Sequence, residues 1–284
     1  MSSRFLYLAM PVISEIIIYP VKSLKGVNVQ TAELTDRGLK YDRRWMLVDA
    51  DNRFLTQREL PAMALLQVSI HAEGLKVCAA GAEPLFIPFD TQALAGHAGP
   101  LLIETFVFED RVQVEYCNPD ADSWLSRVLG VTCRLVYMPD SSRRELSLKY
   151  SSSGELNSLS DSMPILLTSE SSLALLNKKL ELPIPMNRFR PNLVVSGGEA
   201  FEEDSYKSVG IAGHTFPVSK PCSRCTITTI DQADATHSKE PLKTLAGFRS
   251  AGRKVLFGIY LKVGGKGVIQ VGDLLEVEAV VAQD

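Results

Sequence analysis

The spacing of apolar residues is what most constrains this chain. They fall in short runs, many alternating with polar residues, and the runs end at turn formers. "VISEIIIY" (12–19) stops at Pro20, and "WMLVDADNRFLTQ" (45–57) sets the turn-rich "DADN" between two apolar pieces. "LLQVSIHAEGLKVCAA" (65–80) repeats the form around "EG", and "RVQVEY" (111–116) alternates again. A period of two turns one face of a strand to a core and the other to water, and turn residues between such runs read as hairpins. Further strands are expected at 192–196, 208–218 around "AGH", 225–231, 255–263 and 268–281, with turns at "GGKG" (264–267) and "GD" (272–273). Many short strands with few helices suit barrels or sandwiches. No repeat of fixed period points to a solenoid or propeller. The expected fold is mainly β with a few helices (α+β).

Two segments break the rhythm. Asn118 can cap a helix whose first position is Pro119, with Trp124, Leu125, Val128 and Leu129 on one face and Gly130 as its stop. That stripe reads as a packed core face. A second helix is expected over 169–180, with Ser169 as cap and Leu173, Leu176 and Leu180 inward. Between them, "PDSSRRELSLKYSSSGELNSLS" (139–160) is polar and serine-rich, as expected of a mobile loop or a junction.

Charge narrows the function. A net charge of −3 over 284 residues argues against a general nucleic-acid binder, although a local basic site for a small anion is compatible with it. No apolar run reaches the ~18 residues of a membrane span. The N-terminal "MSSRFLYLAMPVISEIIIYPVKS" reads as leading into a strand rather than as a secretory signal. The five cysteines are an odd number, and only Cys222 and Cys225 are close in sequence. That pattern suits reduced thiols and a cytoplasmic location.

"KPCSRCTITTID" (220–231) is the most pointed motif. Four readings stay open on the residues alone. A structural zinc site needs four ligands, but Cys78, Cys117 and Cys133 are isolated, and His214 and His237 lack metal-pair spacing. A redox dithiol needs the pair to open a helix, whereas "TITTI" favours a strand. One cysteine can serve as a thiolate that binds a soft metal or carries sulfur, its anion favoured by Lys220 and Arg224. The plainest alternative is an inert buried cysteine at a strand start.

The motifs taken together resemble the MOSC family. "YPVKSLKG" (19–26), "RGLKYDRRWMLVD" (37–49) and "FLTQRELPAMALL" (54–66) look like its N-terminal β-barrel module. "NRFRPNLVVSG" (187–197), "PCSRCTITTID" and "FGIYLKV…VIQVGDLLEV" look like the MOSC domain. The resemblance implies an N-terminal β-barrel-like module over 11–137, a MOSC β-barrel domain over 138–277 and a tail at 278–284. Within the family the pattern is similar to YcbX-type proteins and the mitochondrial amidoxime-reducing component, which implies a molybdenum cofactor and reduction of N-hydroxylated compounds.

By that resemblance Cys225 is the molybdenum ligand and Cys222 is not. Lys22, Ser23, Arg43, Arg190, Asn192, Ser223 and Arg224 are the implied cofactor-binding residues. "LSDSMPILLTSES" (159–171) looks like a cofactor-side loop, which adds Ser162 and makes Asp161 the candidate proton donor. The residue types make chemical sense: Arg offers a planar fork and Lys a point charge to an anionic pterin phosphate. A thiolate suits molybdenum, and Arg224 is expected to help keep Cys225 ionised. Taken singly, each Lys or Arg has a solvated-surface role as its bland alternative. No C-x4-C-x2-C run offers an iron–sulfur site, so electrons are expected from a separate flavoprotein or ferredoxin. No lysine sits in a recognisable pyridoxal-phosphate motif. The alternatives are a sulfur carrier or sulfurase-related protein forming a persulfide, and a cofactor carrier without turnover.

Overall fold

The computed structural model describes residues 10–90 and 101–280. Residues 1–9, where the strand-versus-signal reading begins, and residues 281–284 of the expected tail lie outside the described residues. Strands dominate. The largest sheet has nine. It runs Leu275–Val280, Tyr206–Ile211, His214–Ser223, Lys254–Leu261, Ile165–Ser169, Leu193–Ser196, Val12–Ile18, Val27–Val29, with Ser250–Ala251 paired off the path. Its pairings are antiparallel except Ile165–Ser169 with Leu193–Ser196, which are parallel. The chain leaves the first of these two strands through the helix Glu170–Asn177, as a parallel connection requires a crossover.

A four-stranded sheet joins Trp45–Val48, Arg134–Tyr137, Asp110–Tyr116 and Leu102–Val107. Three-stranded sheets join Gly267–Gln270 with Thr31–Thr35 and Gly38–Leu39, and Gln67–Ile70 with Gly74–Cys78 and Leu85–Pro88. The hairpin at 65–80 and the alternating strand at 111–116 therefore form as expected. The one at 45–57 closes as a short bridge between Val48 and Phe54. Alternation also shapes Thr31–Thr35, a strand the sequence analysis did not single out, where Ala32 and Leu34 face a core shared with Ile13, Ile16, Leu167 and Phe216. A second core gathers Trp45, Leu47, Leu75, Trp124 and Leu135.

The helix Pro119–Leu129 has its predicted ends. The Asn118 side chain accepts from the Ala121 amide at 2.7 Å, and Gly130 closes it at φ 70°. The second helix is shorter than expected, Glu170–Asn177, although Ser169 is its cap as read.

One expectation is overturned and one is narrowed. Residues 225–231 are no strand: Thr226–Thr229 wind into a 3-10 turn. Thr228 Oγ1 donates to the Cys225 carbonyl at 2.9 Å and Thr229 Oγ1 to that of Thr226 at 2.7 Å. Such local bonds compete with a sheet ladder and defeat the β-branched bias. The serine-rich 139–160 segment is tied down at both ends. Buried Arg144 donates through Nη1 to the carbonyls of Ser158 (2.7 Å) and Ser160 (2.6 Å), and through Nε to Asp110 at 2.8 Å. Asn157 and Ser158 are buried. Polarity here marks internal hydrogen bonding rather than solvation.

Candidate functional site

A cavity of about 360 Å³ opens where the two halves of the sequence meet. Lys22, Ser23, Arg43, Asp161, Ser162, Arg190, Asn192, Ser223, Arg224 and Cys225 all line it. These ten positions span two hundred residues of sequence, and the fold brings them together. Sequence reasoning missed Arg58, Phe108, Lys254 and Tyr260, which line the same cavity. Arg58 and Tyr260 lie inside quoted motifs, "FLTQRELPAMALL" and "FGIYLKV", but nothing in those segments singled them out, and only the chain path reveals all four.

The floor is built around a strap, residues 19–24, that crosses from the large sheet to Trp45. The Lys22 amide donates to the Trp45 carbonyl at 2.8 Å, and the Arg43 amide to the Tyr19 carbonyl at 2.7 Å. Ser23, Arg43 and Arg190 hold φ values of 67°, 48° and 53°. Non-glycine residues seldom occupy that left-handed region, and such strain concentrates at functional sites. Gln57 supports the Ser23 turn from outside: its Nε2 donates to the Ser23 carbonyl at 2.7 Å, and its Oε1 accepts from Gln232 at 3.0 Å.

The guanidinium groups of Arg43 and Arg190 share one ring, lying 4.4 and 4.3 Å from the Tyr19 centroid. Burial pushes the Tyr19 phenol up to about 12, so the ring stays neutral. Burial also pulls Arg190 down to about 10, still a cation at neutral pH. Arg43 donates to Asp42 at 2.7 Å and to Asn192 Oδ1 at 3.0 Å. Asn192 in turn donates to the Ile17 carbonyl and Asp42, and its Oδ1 also accepts from the Leu166 amide. An amide offers two donors and two acceptor positions. All four are used inside the protein, so Asn192 positions Arg43 rather than reaching a ligand.

Asp161 is held by two cations. Its carboxylate takes the Lys22 ammonium and lies 3.6 Å from Arg58. Burial alone would raise its pKa, but the Lys22 charge, the Lys22 hydrogen bond and then Arg58 bring it down to about 2. The expectation that Asp161 donates a proton is therefore corrected: paired this way it is a carboxylate throughout the physiological range. Burial lowers Lys22, and Asp161 pulls the other way.

The cysteine pair divides by exposure. Cys222 is fully buried and Cys225 is exposed. Strand His214–Ser223 carries Pro221, and its register slips between Pro221 and Ser223. Proline cannot donate to a ladder, and a bulge re-aims the side chains after it. Arg224 reaches both cysteines of the pair. Its Nη1 lies 2.7 Å from the sulfur of Cys222, and Nη2 donates to the Phe189 carbonyl at 2.6 Å. Arg224 also interacts electrostatically with Cys225, and a second cation that sequence reasoning missed, Arg58, places its Nη1 3.9 Å from the Cys225 sulfur. Arg224 Nε is buried beside the cavity with no partner among the described residues. Among those residues, no three His, Cys, Asp or Glu side chains converge, so the four-ligand zinc arrangement has no geometry to occupy. No helix among them is long and apolar enough to cross a membrane.

Seven cationic side chains and one carboxylate thus surround an exposed thiol. Chemically the cavity suits a polyanion with a thiophilic centre.

Comparison with known proteins agrees with this architecture. The family model described as the MOSC domain matches residues 155–276, and that of the MOSC N-terminal beta barrel domain matches residues 10–132. Mitochondrial amidoxime-reducing component 1 of Mus musculus is 33% identical over 279 residues, covering 92% of this chain and 80% of that protein. Molybdenum cofactor sulfurase of Oryza sativa is also 33% identical over 273 residues, covering 88% of this chain but 32% of that longer protein. Among solved structures, the YuaD protein of Bacillus subtilis aligns over 94% of each chain at 12% identity, with a TM-score of 0.44.

Proposed function

This chain belongs to the MOSC family, and from that premise we propose that it binds a molybdenum cofactor and reduces N-hydroxylated compounds with electrons from a separate donor. The observation that carries the reading is the concentration of Lys22, Arg43, Arg58, Arg190 and Arg224 around the exposed sulfur of Cys225, in a protein whose net charge is −3. The residues present fit the cofactor. Its phosphate and dithiolene are anionic, Arg224 Nε is a buried donor without a partner, and a thiolate is a suitable ligand for molybdenum.

In this reading Lys22, Arg43, Arg190 and Arg224 neutralise and orient the pterin and its phosphate, with Ser23, Ser162 and Ser223 adding neutral hydrogen bonds. Cys225 is the protein ligand of the metal. Arg58 and Arg224 are the cations that face this sulfur. Asn192 and Asp42 fix Arg43, and Asp161 fixes Lys22 and Arg58, so that the charges are aimed before the ligand arrives. The bound cofactor supplies two electrons which, with two protons, convert an N–OH group to N–H and water. Asp161 is already ionised, so it serves as an anchor and the protons come from solvent at the open mouth.

The test is expression in cells that make the cofactor, followed by metal analysis and benzamidoxime reduction with a reconstituted flavoprotein donor. Stoichiometric molybdenum and turnover are expected, and Cys225→Ser should lose turnover by at least about a thousandfold (~4 kcal/mol). A Cys225→Ser protein with normal turnover sinks the assignment.

The likeness to the rice sulfurase favours a second reading, in which the exposed Cys225 carries a persulfide as a sulfur carrier. Cyanide-releasable sulfur on the isolated protein, absent from Cys225→Ser and without amidoxime reduction, would select it.

A further inference from the structure

The cofactor reading leaves two cations of the cavity without a task. Lys220 and Lys254 come from the paired strands His214–Ser223 and Lys254–Leu261, and both line the cavity. Neither has an ion-pair partner among the described residues. The one carboxylate of the cavity lining, Asp161, is already held by Lys22 and Arg58. Lys220 sits 3.8 Å above the ring of Tyr150, and Lys149 sits 5.3 Å from the same ring. Burial lowers the Lys220 pKa, Tyr150 opposes that, and repulsion from Lys254 and Lys149 lowers it further. The Tyr150 hydroxyl is lowered by Lys149 and then by Lys220, as befits a locally positive potential. Like charges gathered at the rim of a cavity, on a chain of net negative charge, draw in an anion.

We propose that Lys220 and Lys254 form an anion subsite at the cavity mouth, selecting N-hydroxylated substrates that carry a carboxylate or phosphate-type group remote from the N–O bond. The proposal rests on the reductase reading for the identity of the reacting group, and on the lysines alone for the anion. Lys220, backed by the Tyr150 ring, supplies the fixed charge, and the exposed Lys254 supplies one that adapts to the substrate.

Binding under non-turnover conditions tests it: the molybdenum-loaded, oxidised protein is titrated without an electron donor. The probes are benzamidoxime, its 4-carboxy derivative and its 4-phosphono derivative. Tighter binding of an anionic probe by about tenfold over the neutral one is expected, and the stronger of the two identifies the favoured group. Lys220→Ala with Lys254→Ala should erase that ratio with molybdenum content unchanged. The single variant Lys254→Glu, at an exposed position, should reverse it in favour of a 4-aminomethyl probe. Equal affinities in the unmodified protein overturn the proposal. So does loss of molybdenum from the double variant, which would assign the lysines to the cofactor. Benzamidoxime turnover without anion preference removes only this subsite. Anion preference without turnover of any probe removes the reductase reading and keeps the subsite.

Discussion

The Asn192 side chain is bonded on every side, which gives it a large and measurable structural role. Asn192→Ala would leave the Ile17 carbonyl, the Leu166 amide and part of the Asp42–Arg43 pair without partners in a buried setting. A loss of about 3 kcal/mol in urea unfolding is expected, since each stranded buried group costs ~1–3 kcal/mol and such costs overlap. Asp161 carries a pH signature. Its folded value of about 2 lies below the ordinary 3.8, so the Lys22 and Arg58 contacts stabilise the fold fully above about pH 4 and lose that effect as the pH falls through 2. The stability gap between the unmodified protein and Asp161→Asn should therefore narrow from pH 5 to pH 2.5. A gap constant over that range would mean that Asp161 is not depressed. At this scale the motif "C-S-R-C" announced the site, but which sulfur faces the cavity was decided by the register slip at Pro221.

Elements show where local rules sufficed. The helix Pro119–Leu129 follows from its cap, its proline and its terminal glycine, all within contiguous sequence. Asn118→Ala should cost about 1 kcal/mol, read from thermal or urea unfolding, because one orphan amide at the helix start loses its acceptor. The 3-10 turn at Thr226–Thr229 is the contrary case. Its β-branched residues suit a strand, yet their hydroxyls reach back to carbonyls three residues earlier and hold the turn that presents Cys225. Propensity counts side-chain shape and is blind to that bond until the backbone has already turned. The end of segment 139–160 was only half legible for a related reason: serines that bond to buried Arg144 and Asn157 look the same in sequence as serines in water.

For the whole molecule, the strand Val12–Ile18 comes from the start of the chain but pairs with Leu193–Ser196 inside the large sheet. Gly267–Gln270, from near the end, pairs with Thr31–Thr35. The proposed modules 11–137 and 138–277 therefore share sheets, and the Gln57–Gln232 amide pair ties them again beside Ser23. Expressed singly, each fragment should aggregate or lack a cooperative melt; co-expressed, the two should purify as a complex. Independent folding of 138–277 alone would contradict that expectation, since it would leave the buried edge of Leu193–Ser196 unpaired. The sequence by itself determined the strand-rich class and the best helix, because alternation and capping are written in adjacent residues; its motifs carried the resemblance to the family, and it was that resemblance that pointed to the ten positions now found around the cavity. Only the tertiary structure decided that Cys225 faces out while Cys222 is sealed, that Arg58 joins Arg224 near the exposed sulfur, and that Asp161 is paired with Lys22 and Arg58. Those outcomes depend on side-chain direction and on charges brought together across more than a hundred residues of chain, and neither is expressed in local order.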